Sequence, residues 1–515
     1  MTKYIKKIAS KLFVRMMFHL IYIVAIAALP YIIKNMIDSD FSQGIIVAGQ
    51  HIIMFICMIG VGMLAQYITQ KTAWRAECDL NKLIRKDLFL AIVQKPTMEF
   101  EKRTIGKYTS LLENDVSALG EYVEYCLEAA EYVFSLITYA IFLFALDARI
   151  AIIIYCVTVA TLFLPKLTAK NLARKKGNLL DVTGHYISKV NDLLSGYSVV
   201  NTSTENGVAR RHNRQLEEME EGRFAYGKYK SFVNVFNGSM MYLIDISAFI
   251  IIALLLVNGQ ITAGVATATI TYIREFSAPL RGVIDSLSAI KSVSGVKSAL
   301  LKELSYRHTR TARVENWQKI VFEHVDVIRG EFELKNFCYT FESGKKYAII
   351  GESGSGKSTI LRLLTKGIQS DGGRILVDGQ DALGIDMMSV VAYMDQNTHV
   401  FAENFLDNIT VFGSYPKEYM QKRMPWIKEL RLTSVVDKSD CATASGGEKQ
   451  LIAFLRTLMS GGKLLVLDEP FSAVDKKREM MVTRMLLEQA ESTVIMVTHN
   501  TAPEFLAQFD EVLKM

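Results

Sequence analysis

Two stretches of this chain contain no Lys, Arg, Asp or Glu: Met16 to Ile33, and Phe41 to Gln70. A helix needs about 20 mostly apolar residues to cross a bilayer, because every backbone polar group must be satisfied within it once water is gone. Both stretches are long enough. Further apolar regions run from Tyr125 to Leu146, from Ile150 to Pro165, from Met240 to Val257, and from Ile261 to Ala278. Asp147-Ala148-Arg149 and Asn258-Gly259-Gln260 are the tight connections between them. Six spans is the economical reading, at 12–33, 45–68, 125–146, 150–166, 240–257 and 261–285. A cleaved signal peptide is the alternative for the first span. The apolar run continues past the small residues Ala25–Ala28 to Ile33, however, and another span follows.

Loop charges orient the bundle. Lys3, Lys6, Lys7, Lys11 and Arg15 precede the first span; Lys71, Arg75, Lys82, Arg85 and Lys86 follow the second; Lys166, Lys170, Arg174, Lys175 and Lys176 follow the fourth. The opposite loops are short and carry only Lys34 and Arg149 against Asp38, Asp40 and Asp147. By the positive-inside rule the chain is a multi-pass protein with both termini in the cytoplasm, consistent with a bacterial inner membrane. The two long cytoplasmic loops hold few helix breakers. Each reads as a pair of helical arms projecting roughly 35 Å at 1.5 Å per residue. Their turning points are expected near Phe100–Thr109 and Thr204–His212.

The mean hydropathy of +0.20 is high for a water-soluble protein and low for a wholly membrane-buried one, so it averages two unlike parts. The expected division is a helical membrane domain over 1–306, a linker over 307–315, and a soluble domain over 316–515. With 59 basic against 53 acidic residues, the charge is too balanced to argue for a nucleic-acid partner. The six cysteines form no CxxC pair, so neither a zinc site nor a redox dithiol is indicated.

In the second half, Tyr347-Ala348-Ile349-Ile350 reads as a buried strand leading directly into Gly351-Glu352-Ser353-Gly354-Ser355-Gly356-Lys357-Ser358-Thr359 and then a helical run. This is the phosphate-binding GxxxxGK[ST] loop in strand–loop–helix context. Glycines let backbone N–H groups wrap phosphate oxygens, and the helix N-terminus adds partial positive charge. Lys357 would reach the β- and γ-phosphates of ATP, and Ser358 would bind Mg²⁺. A second buried-strand run, Leu464 to Leu467, ends in Asp468-Glu469. Asp468 suits the Mg²⁺ shell, and Glu469 suits the base that activates the attacking water.

With these elements in place, the chain closely resembles the ABC transporter family. Ala444-Ser445-Gly446-Gly447-Glu448 is similar to that family's LSGGQ signature, Gln396 to its Q-loop glutamine, Ser472-Ala473-Val474-Asp475 to its D-loop, and His499 to its switch histidine. Six spans ahead of that ordered set resemble the exporter-type fold: an all-α six-helix membrane domain followed by an α/β P-loop ATPase domain. The resemblance implies Gln396 and His499 as catalytic partners of Glu469, with Gln396 also beside Mg²⁺. It further implies that Ser445, Gly446, Gly447, Glu448 and Asp475 contact ATP held by a partner's P-loop. The chain would thus be a half-transporter working with a second copy, or with a sister subunit as a heterodimer. The signature opens a helix, which makes a second anion-binding N-terminus.

The chain departs from the family at several points. The usual adenine-stacking aromatic falls near Ile328 or Arg329, where Arg329 offers a cation–π contact instead. Glu448 and Leu451 replace the commoner Gln and Arg of the signature helix, and Asp437–Thr443 lacks the Glu-x-Gly pattern. The substrate clue is charge in or near the spans. Glu121, Glu124, Glu128 and Glu131 share one helix face and could form an acidic portal for a cationic substrate such as a basic peptide. A solvated helix end is the alternative for them, as internal pairing is for Arg274 and Glu275. Asp245 lies within span five, while His19 and His51 read as packed or interfacial residues. No peptidase segment precedes the first span, so a substrate-processing exporter is not expected. The expected activity is ATP-driven export of a peptide or of a hydrophobic or cationic small molecule, from within membrane lipid. A lipid flippase, or an importer on the same fold, is the alternative.

Overall fold

The computed structural model describes residues 1–39, 45–152, 155, 165–305, 312–329, 332–415, 426–427, 430, 432–489 and 492–515. The chain divides into two compact units. One comprises Met1–Phe89 and Thr109–Ser305; the other comprises Leu90–Tyr108 and Tyr306–Met515.

Long helices dominate the first unit: α1 (Thr2–Asp38), most of α2 (Ile45–Val93), α5 (Val116–Leu146), α6 (Pro165–Ser195), α7 (Glu205–Val257) and α8 (Ala263–Ser305). Two short helices, α3 (Thr97–Glu101) and α4 (Ile105–Ser110), and a π-helical turn, Leu111–Asp115, link α2 to α5. Among the described residues three helices are long and apolar enough to cross a membrane: Thr2–Asp38, Ile46–Val93 and Ile105–Leu146. Asp245–Val257 is a shorter apolar stretch. Most of the expected fourth span lies outside the described residues. In α8 the charged Arg274, Glu275 and Arg281 interrupt the expected sixth.

Helices α1, α5, α7 and α8 pack Ile23, Ala27, Tyr139, Leu143, Ile252, Tyr272 and Phe276 into a common core. Outside it, α2 leaves Ile53, Ile56, Met63 and Leu64 exposed. A stripe of that kind would be an aggregation hazard in water and suits a lipid environment. The second arm reversal falls at 196–204, ahead of the expected Thr204–His212. Asn201 and Thr204 close a turn there, with Thr204 Oγ1 accepting from the Asn201 N–H at 2.9 Å. No glycine cluster marks that position.

The second unit is an α/β domain. Its strands are β1 (Ala312–Arg313), β2 (Lys319–Arg329), β3 (Phe332–Glu342), β4 (Lys346–Ile350), β5 (Gly372–Val377), β6 (Gln380–Asp381), β7 (Ile385–Asp386), β8 (Val391–Met394), β9 (Leu464–Asp468), β10 (Thr493–Val497) and β11 (Glu511–Lys514). A five-stranded parallel sheet runs in the order β11-β4-β10-β9-β8, and an antiparallel sheet in the order β3-β2-β5-β6. The residues of β9 and β10 are buried throughout, as runs rich in Val, Ile and Leu require of strands covered on both faces. The unit also takes in Leu90–Tyr108. Pro96, Thr97 and Met98 line a cavity of about 630 Å³ with Leu363 and Met387, and Arg362 pairs with Glu101.

Candidate functional site

The motifs read from sequence converge because their strands are neighbours. Strands β4, β10, β9 and β8 lie side by side and parallel. The loops leaving their carboxyl ends therefore open on one edge of the sheet, where α/β folds place ligands. The P-loop leaves β4 and enters helix α9 (Lys357–Leu364); Gln396 follows β8, Asp468 ends β9, and His499 follows β10.

Within the P-loop, Gly356 caps α9 at φ 101°, and a Cβ there would stand 2.9 Å from the Phe332 ring. Only glycine fits both the backbone and the space. Lys357 is buried, and its Nζ donates to the carbonyls of Gly351 at 2.8 Å and Glu352 at 2.7 Å. This holds the loop curled around the ammonium.

Asp468 is 3% exposed. Burial pushes its carboxyl above the usual carboxylate range, and repulsion from Glu469 and Asp395 adds to the effect, while the Ser358 hydroxyl opposes it. Its Oδ1 is buried with no hydrogen bond, and so is the hydroxyl of Ser355 in the P-loop. A buried aspartate oxygen left unpaired, on a carboxyl that also meets the Ser358 hydroxyl, fits a hard cation with oxygen ligands. Among the described residues, no group of three or more His, Cys, Asp or Glu side chains could hold a metal ion unaided. Magnesium characteristically takes one or two protein oxygens and completes its shell with phosphate and water, so the donor set is compatible with Mg²⁺.

The three residues expected to be catalytic form one hydrogen-bonded cluster. Glu469 Oε2 accepts from Gln396 Nε2 at 2.9 Å, and Glu469 Oε1 lies 2.7 Å from His499 Nε2. Glu469 has φ 46°, a left-handed conformation uncommon for a side chain of this kind. Its N–H donates to the Val497 carbonyl at 3.1 Å. The turn after β9 is thus anchored to β10, and the carboxylate lies between Gln396 and His499 of the two neighbouring loops.

Ser445 caps helix α10 (Gly446–Met459) in a reciprocal capping box with Glu448. A Cβ on Gly447 would lie 2.9 Å from the Ala473 carbonyl, so the signature helix packs directly on the D-loop. Gln450, buried on α10, completes that clamp. It donates to Ser472 Oγ and accepts from the Ala473 N–H, both at 2.8 Å. Asp475 caps helix α11 (Lys476–Gln489), taking the Arg478 N–H at 3.0 Å.

Two contributors were missed from sequence. Gln450 follows the signature by two residues, and only its helix spacing points to the buried side. Arg456 donates to the carbonyls of Asn408 and His399, both at 2.8 Å, and so ties α10 to the segment after Gln396. Arg329 is bound to Asp371 at 2.8 Å and to the Gln369 carbonyl at 2.9 Å.

In the first unit two of the four glutamates on that face are satisfied from within. Arg15, 3% exposed, pairs with Glu124 and Glu131, both at 2.6 Å. His19 packs beside them, its Nε2 3.3 Å from the Glu131 carbonyl and 3.4 Å from Ser135 Oγ. A solvated helix end does not describe Glu131, which is buried. Asp245 is half-buried, Arg274 and Glu275 are exposed, and His51 bonds back to the Val47 carbonyl at 2.9 Å.

Residues 12–280 match the family model for the ABC transporter transmembrane region, and residues 334–472 that for the ABC transporter. A fatty acid ABC transporter ATP-binding/permease protein of Mycobacterium tuberculosis is 25% identical over 466 residues, covering 85% of this chain and 71% of that protein. A probable multidrug resistance ABC transporter ATP-binding/permease protein of Bacillus subtilis is 23% identical, covering 86% and 70%. An ATP-dependent lipid A-core flippase of Pectobacterium atrosepticum is 23% identical, covering 94% and 86%. In fold, the solved structure of a bacterial Atm1-family ABC exporter with ATP bound aligns at a TM-score of 0.80 and 19% identity, covering 99% of this chain and 93% of that one.

Proposed function

This chain belongs to the ABC transporter family, as an exporter-type half-transporter whose ATPase domain hydrolyses ATP for transport, and from that premise we propose how its residues divide the work. Two copies pair, and each P-loop, Gly351–Thr359, takes the phosphates of one ATP while the partner's Ser445–Glu448 and Asp475 close over it. Lys357 releases its loop carbonyls to meet phosphate oxygens. Ser358, Asp468 and Gln396 would hold Mg²⁺, which supplies charge neutralisation on the phosphates when bound. Glu469 accepts the proton of the attacking water, and Gln396 and His499, already hydrogen-bonded to it, fix its orientation. Six spans, at 12–33, 45–68, 125–146, 150–166, 240–257 and 261–285, would carry the closure into alternating access. Both termini and the ATPase domain lie on the cytoplasmic side, in a bacterial inner membrane.

The observation that carries this reading is the Gln396–Glu469–His499 cluster beside the unpaired oxygen of Asp468. Its test is Mg-ATP turnover by the full chain in lipid. Glu469→Gln should cut turnover at least about a hundredfold and leave ATP bound; unchanged turnover would remove Glu469 as the base. For the transported substrate, a hydrophobic or amphipathic molecule is the better fit. The relatives named for fatty acid and for lipid A-core support that direction, and Arg15 already neutralises part of the acidic face. A cationic peptide remains the second reading, carried by Glu121 and Glu128. Stimulation of ATPase activity by acyl lipids against basic peptides separates the two.

A further inference from the structure

The signature helix contains its own anion. Glu448 stands where the family commonly has glutamine, and its Oε2 accepts from the Ser445 N–H at 2.9 Å and the Ser445 hydroxyl at 3.0 Å. Its Oε1 takes the Ser434 hydroxyl at 3.3 Å, and Lys438 Nζ lies 3.9 Å from Oε2. The Ser445 N–H together with this surround holds the carboxyl below the usual range, so it stays charged at neutral pH. The first turn of α10 carries the partial positive charge of a helix N-terminus, the feature that attracts a phosphate. The Glu448 carboxylate already engages the Ser445 hydroxyl, one of the donors a phosphate would use there, and its charge repels a second anion.

We propose that Glu448 is an internal competitor for the phosphate of the partner's ATP: it holds the Ser445 hydroxyl in the open state, and its displacement sets how much ATP is needed for closure. The inference rests on the proposed sandwich of P-loop and signature. Because Lys438 partly offsets the carboxylate charge, the two residues act in opposite senses. Glu448→Gln retains the acceptor that completes the capping box, since Gln serves that position as well as Glu, and it removes only the charge.

The test is the ATP concentration giving half-maximal hydrolysis by the full chain in lipid nanodiscs. Glu448→Gln should lower it by roughly threefold to tenfold, and Lys438→Gln should raise it. The ratio of the wild-type to the Glu448→Gln value should also shrink toward one as salt is added, because salt screens the repulsion that the variant lacks, a response that a purely structural cap would not produce. An active wild type whose half-maximal concentration is unchanged or raised by Glu448→Gln overturns the proposal and leaves the proposed function standing. A wild type with no Mg-ATP hydrolysis sinks the proposed function itself, and this inference with it.

Discussion

Each unit of this protein buries a charge, and the two charges are treated in opposite ways. Arg15, in the helical unit, is buried and reaches two carboxylates, one of them on a residue whose carbonyl also meets His19. Asp468, in the ATPase unit, keeps one oxygen buried with no protein partner. An isolated buried charge is expensive, so a fold that retains one either pairs it internally or reserves it for a ligand. The paired arginine reads as structure. The unpaired aspartate reads as function, because what completes it must come from outside the chain.

If that contrast holds, the two sites respond to mutation with opposite signs. Arg15→Met strands Glu124 and Glu131 and should destabilise the helical unit by about 3–5 kcal/mol, seen as loss of folded protein in a detergent melt. Restoring neutrality with Arg15→Met, Glu124→Gln and Glu131→Gln together should recover most of it. A triple variant as unstable as the single one would mean that Arg15 contributes packing rather than charge balance.

Asp468→Asn should do the reverse. The Asp468 carboxyl is raised in the folded state, so folding favours its neutral form. Stability from this group is therefore greatest below its unfolded value and is lost as pH climbs through the folded one. The neutral amide should raise the nucleotide-free melting transition, by an amount on the order of 1 kcal/mol, while turnover falls. The gain should shrink as pH is lowered. A melt that drops on Asp468→Asn would place the aspartate among structural charges, and the contrast would fail.

The smallest effect is expected where charge is neither buried nor reserved. Arg329 and Asp371 are both about half exposed, so Asp371→Asn should leave the thermal melt almost unchanged. A larger loss would show that the pair anchors the β2–β3 hairpin. An unchanged stability with altered ATP affinity would instead return Arg329 to the adenine question.

The same contrast explains what could be read from the sequence. P-loop chemistry dictates spacing: GESGSGKST must follow a buried strand and open a helix, and Asp468-Glu469 must end another. Gln396 and His499 are expected from the family resemblance alone; the strand order that brings them beside Glu469 is visible only in the fold. Apolar length likewise exposed the long helices. Pairing was not legible. The Glu121–Glu131 face suggested a portal because Arg15, more than 100 positions away, carries no local mark of being its partner. Nor did the sequence indicate that Leu90–Tyr108 clusters with the ATPase unit, since short helices α3 and α4 have no distinctive periodicity. Gln450 and Arg456 escaped for a related reason: a buried polar side chain on an amphipathic helix looks like a surface residue until its partners are in place.

The central claim is that one chain supplies half of each ATP site, so the decisive measurement is proximity between copies. In a full chain freed of its own cysteines and carrying Glu469→Gln, Ser353→Cys and Ser445→Cys would place one thiol on the P-loop and one on the signature. Mild oxidation with saturating Mg-ATP should give a covalent two-chain species, and oxidation without nucleotide should give little. Failure to cross-link at saturating Mg-ATP, in protein that still binds the nucleotide, would contradict the shared site.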